Sequence, residues 1–264
     1  MIEQKPETLI VECAHQVATV TLNRPEVRNA FNATMIAELT AVFRELSERD
    51  DVRAVALAAN GKAFCAGADL NWMKEMAGYS DDENRADALR LADMLWSIYR
   101  CGKPVIARVN GDAYAGGMGL ISACDIVIAA DTAHFCLSEA RLGLIPATIA
   151  PYVIRALGER AARRYFATAE QFDCATALRL GFVSEAVSED KLDDTVQQLA
   201  AILCSNGPNA VRACKRLVQD IAGRELDTPL IEATAARIAQ VRASAEGREG
   251  IASFLEKRAP AWRS

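Results

Sequence analysis

Two short turns rich in small residues hold the positions of this 264-residue chain that could do chemistry. The first is Cys65-Ala66-Gly67-Ala68-Asp69 and the second is Ala115-Gly116-Gly117-Met118-Gly119. Each follows an apolar run that reads as a buried strand and precedes a segment that reads as a helix. Small residues let a ligand approach the backbone, and a helix start presents unpaired N–H groups at the positive end of its dipole. Two such groups aimed at one point would make an oxyanion hole, and a single donor of that kind is worth ~10²–10³ in rate. The same glycines would also serve as simple tight turns, and taken alone they leave both readings open. A carboxylate supplies the acid–base candidate. Glu139 stands in Ser138-Glu139-Ala140-Arg141, ahead of an apolar stretch with Gly143 and Pro146. A carboxyl at the mouth of an apolar pocket has its pKa raised by desolvation, which suits proton transfer. Glu139 would equally cap a helix or pair with Arg141. Asp69 opens a helix, where a carboxylate meets the dipole.

Other chemistries are poorly supplied. The chain has two histidines, His15 and His134, too few for a multi-histidine metal site or a convincing histidine triad. His134 belongs to the run His134-Phe135-Cys136-Leu137 and reads as structural. Eight cysteines are scattered without a C-x-x-C pair, so a zinc ribbon or a thioredoxin-type motif is not expected. Most of them sit in apolar stretches, which reads them as small buried residues of a reducing compartment. No G-x-G-x-x-G and no phosphate-binding P-loop occurs. Tyr99 and Lys103 match a Y-x-x-x-K spacing, but Gly102 and Pro104 would end a helix there. Lys plus Arg number 30 against 35 Asp plus Glu, a net charge of −5, which disfavours an electrostatic nucleic-acid binder. No apolar run is long enough to span a membrane. Residues 1–7 show neither an apolar leader core nor an arginine-rich transit pattern, so a cytoplasmic protein is expected.

The elements that must position these residues follow from pattern. Residues 8–13 and 16–22 read as a β-hairpin, and Asn32 as the N-cap of a helix running to about Arg49. In that helix Met35, Ile36, Leu39, Val42, Phe43 and Leu46 keep the helical period. Strands are expected at 52–58, 104–109, 125–130 and 134–137, with helices between them. This rhythm predicts an α/β fold with parallel sheet and crossover helices. Helices are expected near 150–157, 159–169, 173–180, 189–204, 208–221 and 228–256, interrupted by a strand at 182–187. Asn206-Gly207-Pro208 marks a boundary, giving a core over 1–205 and a helical region over 206–264. That region carries enough apolar positions to need the core or another subunit as cover.

In order and spacing these pieces resemble the enoyl-CoA hydratase/isomerase (crotonase) superfamily over nearly the whole chain. The resemblance rests on Leu22-Asn23-Arg24-Pro25 with Asn29-Ala30-Phe31-Asn32; on Phe64-Cys65-Ala66-Gly67-Ala68-Asp69-Leu70; on Lys103-Pro104-Val105-Ile106-Ala107, Asn110-Gly111 and Gly116-Gly117. Cys124-Asp125-Ile126, Phe135 to Pro146 and Phe254 to Pro260 complete it. It implies a spiral of repeated β-β-α units with a C-terminal helical trimerisation region, assembled as a homotrimer or a hexamer of two trimers. The implied substrate is an acyl-CoA thioester, with no metal and no further cofactor. Ala68 and Gly116 would then hold the thioester oxygen through their N–H groups. Ala66, Asp69, Leu70 and Asn71 would line the substrate path, and Arg24, Arg28, Lys62 and Lys257 become candidates for the CoA phosphates.

The departures matter as much. Hydratases of this superfamily typically carry one glutamate three residues after the oxyanion glycine and another before the L-G-x-I-P segment. Here the second is Glu139, while the first position is Gly119. The glycine pair usual after I-P is replaced by Ala147-Thr148-Ile149-Ala150-Pro151. A general acid or base contributes ~10²–10⁴ in rate, so the loss must be compensated or the reaction must differ. The segments around Glu139, Pro146–Pro151 and Arg160–Glu170 are similar to bacterial 3-methylglutaconyl-CoA hydratases and to isohexenylglutaconyl-CoA hydratases. That similarity implies a substrate with a second carboxylate, for which Arg141 is the expected partner. An acyl-CoA double-bond isomerase and a non-catalytic acyl-CoA-binding scaffold are the alternatives.

Overall fold

The computed structural model describes residues 6–263; residues 1–5, part of the segment read above for targeting signals, lie outside them. The chain divides into two compact units, residues 1–200 and 201–264.

Among the described residues of the first unit, ten strands form two sheets. They are β1 (Leu9–Ala14), β2 (Val17–Leu22), β3 (Ala54–Ala59), β4 (Ala63–Cys65), β5 (Val105–Val109), β6 (Asp112–Tyr114), β7 (Ile126–Ala130), β8 (His134–Cys136), β9 (Phe172–Asp173) and β10 (Glu185–Val187). The larger sheet has the order β1-β2-β3-β5-β7-β10, and the smaller β4-β6-β8-β9. β1 and β2 pair as the antiparallel hairpin expected from the sequence, turning at His15 and Gln16. From β2 onward the large sheet is parallel. All six residues of β3 are buried, as suits a parallel strand covered on both faces. Between β3 and β8 the chain alternates, one strand in the large sheet and the next in the small one.

The helices of this unit are α1 (Ala33–Glu48), α2 (Leu70–Met76), α3 (Asp81–Tyr99), α4 (Gly116–Ala123), α5 (Ala150–Leu157), α6 (Glu159–Thr168), α7 (Cys174–Arg179) and α8 (Leu192–Ser205), the last crossing the division. Asn32 caps α1 by accepting the Met35 N–H at 2.9 Å, and the six apolar residues picked from the periodicity are its buried residues. Ser80 and Glu83 form a capping box at the start of α3.

In the second unit α9 (Pro208–Ile221), α10 (Thr228–Ala243) and α11 (Ala245–Leu255) follow one another. The single helix expected over 228–256 is broken at Ser244, whose backbone is extended and whose Oγ accepts the Gly247 N–H at 3.0 Å. The break brings Val241 O to 2.1 Å from where a Cβ on Gly247 would stand, so only glycine fits there. Strand boundaries also shift, 182–187 shortening to Glu185–Val187. β4, β6 and β9 had no counterpart in the sequence pattern, because two or three residues carry no readable period.

Candidate active site

The small sheet brings the three catalytic candidates to one edge. β4, β6 and β8 run parallel as neighbours, with Cys65 opposite Ala113 and Tyr114 opposite Cys136. Their carboxyl ends therefore emerge side by side, neighbouring strands being about 4.8 Å apart. Three residues beyond β4 stands Ala68, two beyond β6 stands Gly116, and three beyond β8 stands Glu139.

Backbone hydrogen bonds fix each of the first two turns, and the two lie close against each other. Phe31 and Ala68 form an isolated parallel bridge, in which the Phe31 N–H donates to Gly67 O (2.7 Å) and the Asp69 N–H to Phe31 O (2.8 Å). That pattern turns the N–H of Ala68 itself away from Phe31. Gly67 has φ +91°, and a Cβ on it would lie 3.1 Å from Ala115 Cβ and 3.3 Å from Tyr114 O. The Ala115 N–H donates to Cys136 O at 2.8 Å, tying the second turn to β8. Gly116 then opens α4, so its N–H is one of those that a helix leaves without a partner. A Cβ on Gly116 would meet Phe31 Cε2 at 2.5 Å, which is why the backbone there stays bare.

Glu139 begins a 3-10 turn, Glu139–Leu142. Among the described residues its Oε2 is buried and has no hydrogen-bond partner. Burial pushes its pKa above the ordinary 4.5, partly offset by its own N–H. The pairing with Arg141 left open by the sequence is not made. The Arg141 guanidinium donates to Ala169 O at 2.5 Å, and Arg141 is exposed. A carboxyl of raised pKa with one buried, unpartnered oxygen is suited to take and return a proton.

Asp69 caps α2, accepting the Asn71 N–H at 2.8 Å, and also accepts Arg24 Nη2 at 2.9 Å. Burial alone would raise its pKa, but these donors hold the carboxyl below the ordinary range. Arg24 also donates to Ala30 O at 2.7 Å, and its side chain is only 18% exposed. Arg24 is thus a strut of this turn, which leaves little of it for the phosphate contact suggested from the sequence. Leu70 and Asn71 are exposed at the start of α2. Arg28, Lys62 and Ala66 do come together, lining a cavity of about 240 Å³ with Ala63, Asp112 and Tyr114. Lys257 lies in the second unit, exposed after α11.

Asp112 and Tyr114 escaped the sequence reading. Burial and the Asp112 carboxylate, which accepts the Tyr114 hydroxyl at 2.9 Å, push the Tyr114 phenol up to about 12. Their period-two spacing after Asn110-Gly111 is the signal that would have found them. In the sequence Asn29 stands out only as part of a motif. Fully buried, it donates to Asn60 O and Ala63 O and accepts the Arg24 N–H, which joins the Arg24 loop to β4. His134 faces Asp112 at 3.3 Å, in keeping with its structural reading.

The profile of the enoyl-CoA hydratase/isomerase family matches residues 12–264. The chain is 32% identical to the short-chain-enoyl-CoA hydratase of Clostridium acetobutylicum, over 95% of each chain. It superimposes on the crystal structure of an enoyl-CoA hydratase from Shewanella pealeana with TM-score 0.96, 41% identity, and 99% and 98% of the two chains covered. For an enoyl-CoA hydratase from Mycobacterium smegmatis the values are 0.91, 34%, 97% and 99%. The chain belongs to the enoyl-CoA hydratase/isomerase family. Gly119 stands where the resemblance leads one to expect a glutamate. It is buried in α4, and a Cβ on it would stand 2.3 Å from Ile149 Cγ2 and 2.9 Å from Ile149 Cβ.

Proposed function

We propose that this protein is a hydro-lyase adding water across the 2,3 double bond of an enoyl-CoA thioester. The observation that carries the reading is the shared edge of β4, β6 and β8, with two backbone N–H donors and one carboxyl whose Oε2 is buried and unpartnered. The Ala68 and Gly116 N–H groups donate to the thioester oxygen between them, preorganised for the charge that develops there. Glu139, as carboxylate, takes a proton from water while the water oxygen bonds to C3. The C2–C3 π pair moves toward the carbonyl, giving an enolate held by the two donors. The enolate collapses, C2 takes the proton from the Glu139 carboxylic acid, and the carboxylate is restored. No cofactor beyond the substrate's own CoA enters these steps.

The finer reading is 3-methylglutaconyl-CoA, a substrate of leucine or isoprenoid breakdown, supported by the segments around Glu139 and Pro146–Pro151. Ala66, Leu70 and Asn71 would line the substrate path, Asp69 and Arg24 would brace it, and Arg28 and Lys62 would meet the CoA phosphates. Lys257 is a further phosphate candidate. Arg141 would have to release Ala169 O to bind a second carboxylate. We assign the same cytoplasmic, homotrimeric or hexameric form to the protein. Large apolar residues exposed in the second unit, such as Leu226, Phe254 and Leu255, support an assembly that covers them.

The single carboxylate also favours a second reading, an isomerase that shuttles one proton between C2 and C4. A spectrophotometric assay decides. Loss of conjugated enoyl absorbance from crotonyl-CoA or 3-methylglutaconyl-CoA supports hydration. Appearance of that absorbance from a 3-enoyl-CoA supports isomerisation. CoA thioester binding with neither change overturns both in favour of a non-catalytic scaffold.

A further inference from the structure

Gly119 and Ile149 fit each other as a pair. Gly119 lies one helical turn after Gly116, so the two share a face of α4. Helical side chains lean toward the N-terminus, so the space above position 119 overlies the first turn of α4, where the Gly116 N–H emerges. Ile149 Cγ2 occupies that space, 2.3 Å from where a Cβ on residue 119 would stand. The Ile149 side chain is held there firmly. It is 3% exposed, it is the last residue before α5, and its carbonyl accepts the N–H groups of Tyr152 and Val153 at 3.0 Å. Leu95 Cδ2, 3.7 Å from the same point, completes an apolar lining.

We propose that Ile149 is a specificity-determining residue, an apolar wall beside the Gly116 donor in the place where a second carboxylate would otherwise stand. The inference rests on the acyl-CoA reading above and deepens it. A thioester whose oxygen accepts the Gly116 N–H puts C3 two bonds from the carbonyl carbon, over the same helical turn. A polar group or a bound water would find no partner on Ile149, whereas an alkyl branch at C3 finds dispersion contact. The wall therefore selects 3-alkyl acyl groups, and it leaves every proton transfer to Glu139.

The test uses two saturated thioesters that bind without reacting, butyryl-CoA and 3-methylbutyryl-CoA. Their Kd values are measured by calorimetry on wild type, Ile149→Val and Ile149→Ala. Trimming the wall to Ala is expected to weaken the 3-methyl ligand roughly tenfold more than the straight one, in line with the discrimination a single methylene gives. Val should fall between. A common factor for both ligands, within about twofold, overturns the role of Ile149. If wild type binds neither thioester, the acyl-CoA reading itself is overturned. The pairing is judged independently of any ligand: Gly119→Ala should lower Tm in wild type and cost nothing measurable in the Ile149→Ala background. Equal losses in both backgrounds would overturn the match.

Discussion

Replacing Glu139 by Gln keeps the side chain's shape and removes its charge and its transferable proton. Two effects of opposite sign should follow. The folded-state pKa of Glu139 is raised above 4.5 by burial. Its protonation therefore contributes stability that is fully present below the unfolded pKa and is lost as pH rises through the folded one. At pH 8 the wild type carries an ionised carboxyl whose Oε2 is buried and unpartnered, while the Gln variant carries none. An unsatisfied buried polar group costs about 1–3 kcal/mol. Glu139 is only partly buried and Gln keeps a polar tip, so the lower end applies, about 1 kcal/mol. For a chain of this size that is a Tm gain of about 2–4 °C at pH 8, shrinking as pH falls toward 4.5. Enoyl-CoA hydration should fall by ~10²–10⁴, the worth of a general acid–base group. Thermal unfolding at pH 8 and pH 5 reads the first effect, and loss of enoyl absorbance the second. A folded variant that retains more than a tenth of wild-type hydration would refute Glu139 as the proton carrier. A lowered Tm at pH 8 would refute the claim that its charge is uncompensated.

Three further outcomes are expected. Asp69→Ala deletes the α2 cap and leaves the largely buried Arg24 guanidinium without its carboxylate, a loss of about 2 kcal/mol in thermal or urea unfolding. Because the Asp69 pKa is depressed, that deficit is full at neutral pH and shrinks as pH falls through the folded pKa. Arg28→Ala with Lys62→Ala should raise KM for a CoA thioester roughly tenfold, with a weaker salt dependence and unchanged kcat. An alkylating reagent on the native protein at pH 8 should label the exposed Cys13 and Cys214 but spare Cys65, whose thiol burial pushes up to about 12.

Legibility from sequence tracked the length of the signal. α1 could be drawn residue by residue, because sixteen positions repeat one apolar period and Asn32 announces the start. α5 and α9 begin and end where pattern and punctuation put them, at Ala150–Leu157 and Pro208–Ile221. In the small sheet only β8 has a counterpart in the sequence, the strand expected at 134–137. β4, β6 and β9 have two or three residues, and their partners lie far apart in the chain, so neither period nor turn chemistry marks them. Yet this sheet, rather than the long helices, sets Ala68, Gly116 and Glu139 at one edge. The motif residues were visible one at a time, while the fact that aligns them is a register between short parallel strands.

The same limit explains Gly119. In the sequence it is a missing carboxylate, and the change at Ala147–Pro151 is a separate oddity. Thirty positions apart, the two have no pattern in common. Folding puts Ile149 Cγ2 at 2.3 Å from the Cβ that Gly119 lacks, and the two departures become one. A glutamate at 119 would have to displace a buried, branched side chain, at the cost of overpacking, about 1–3 kcal/mol, and of desolvating a charge among apolar atoms. Gly119→Glu alone is therefore expected to lose stability without gaining a working second carboxylate. A carboxylate cannot be accommodated by a change at 119 alone, and only a change that also removes the Ile149 side chain gives it room.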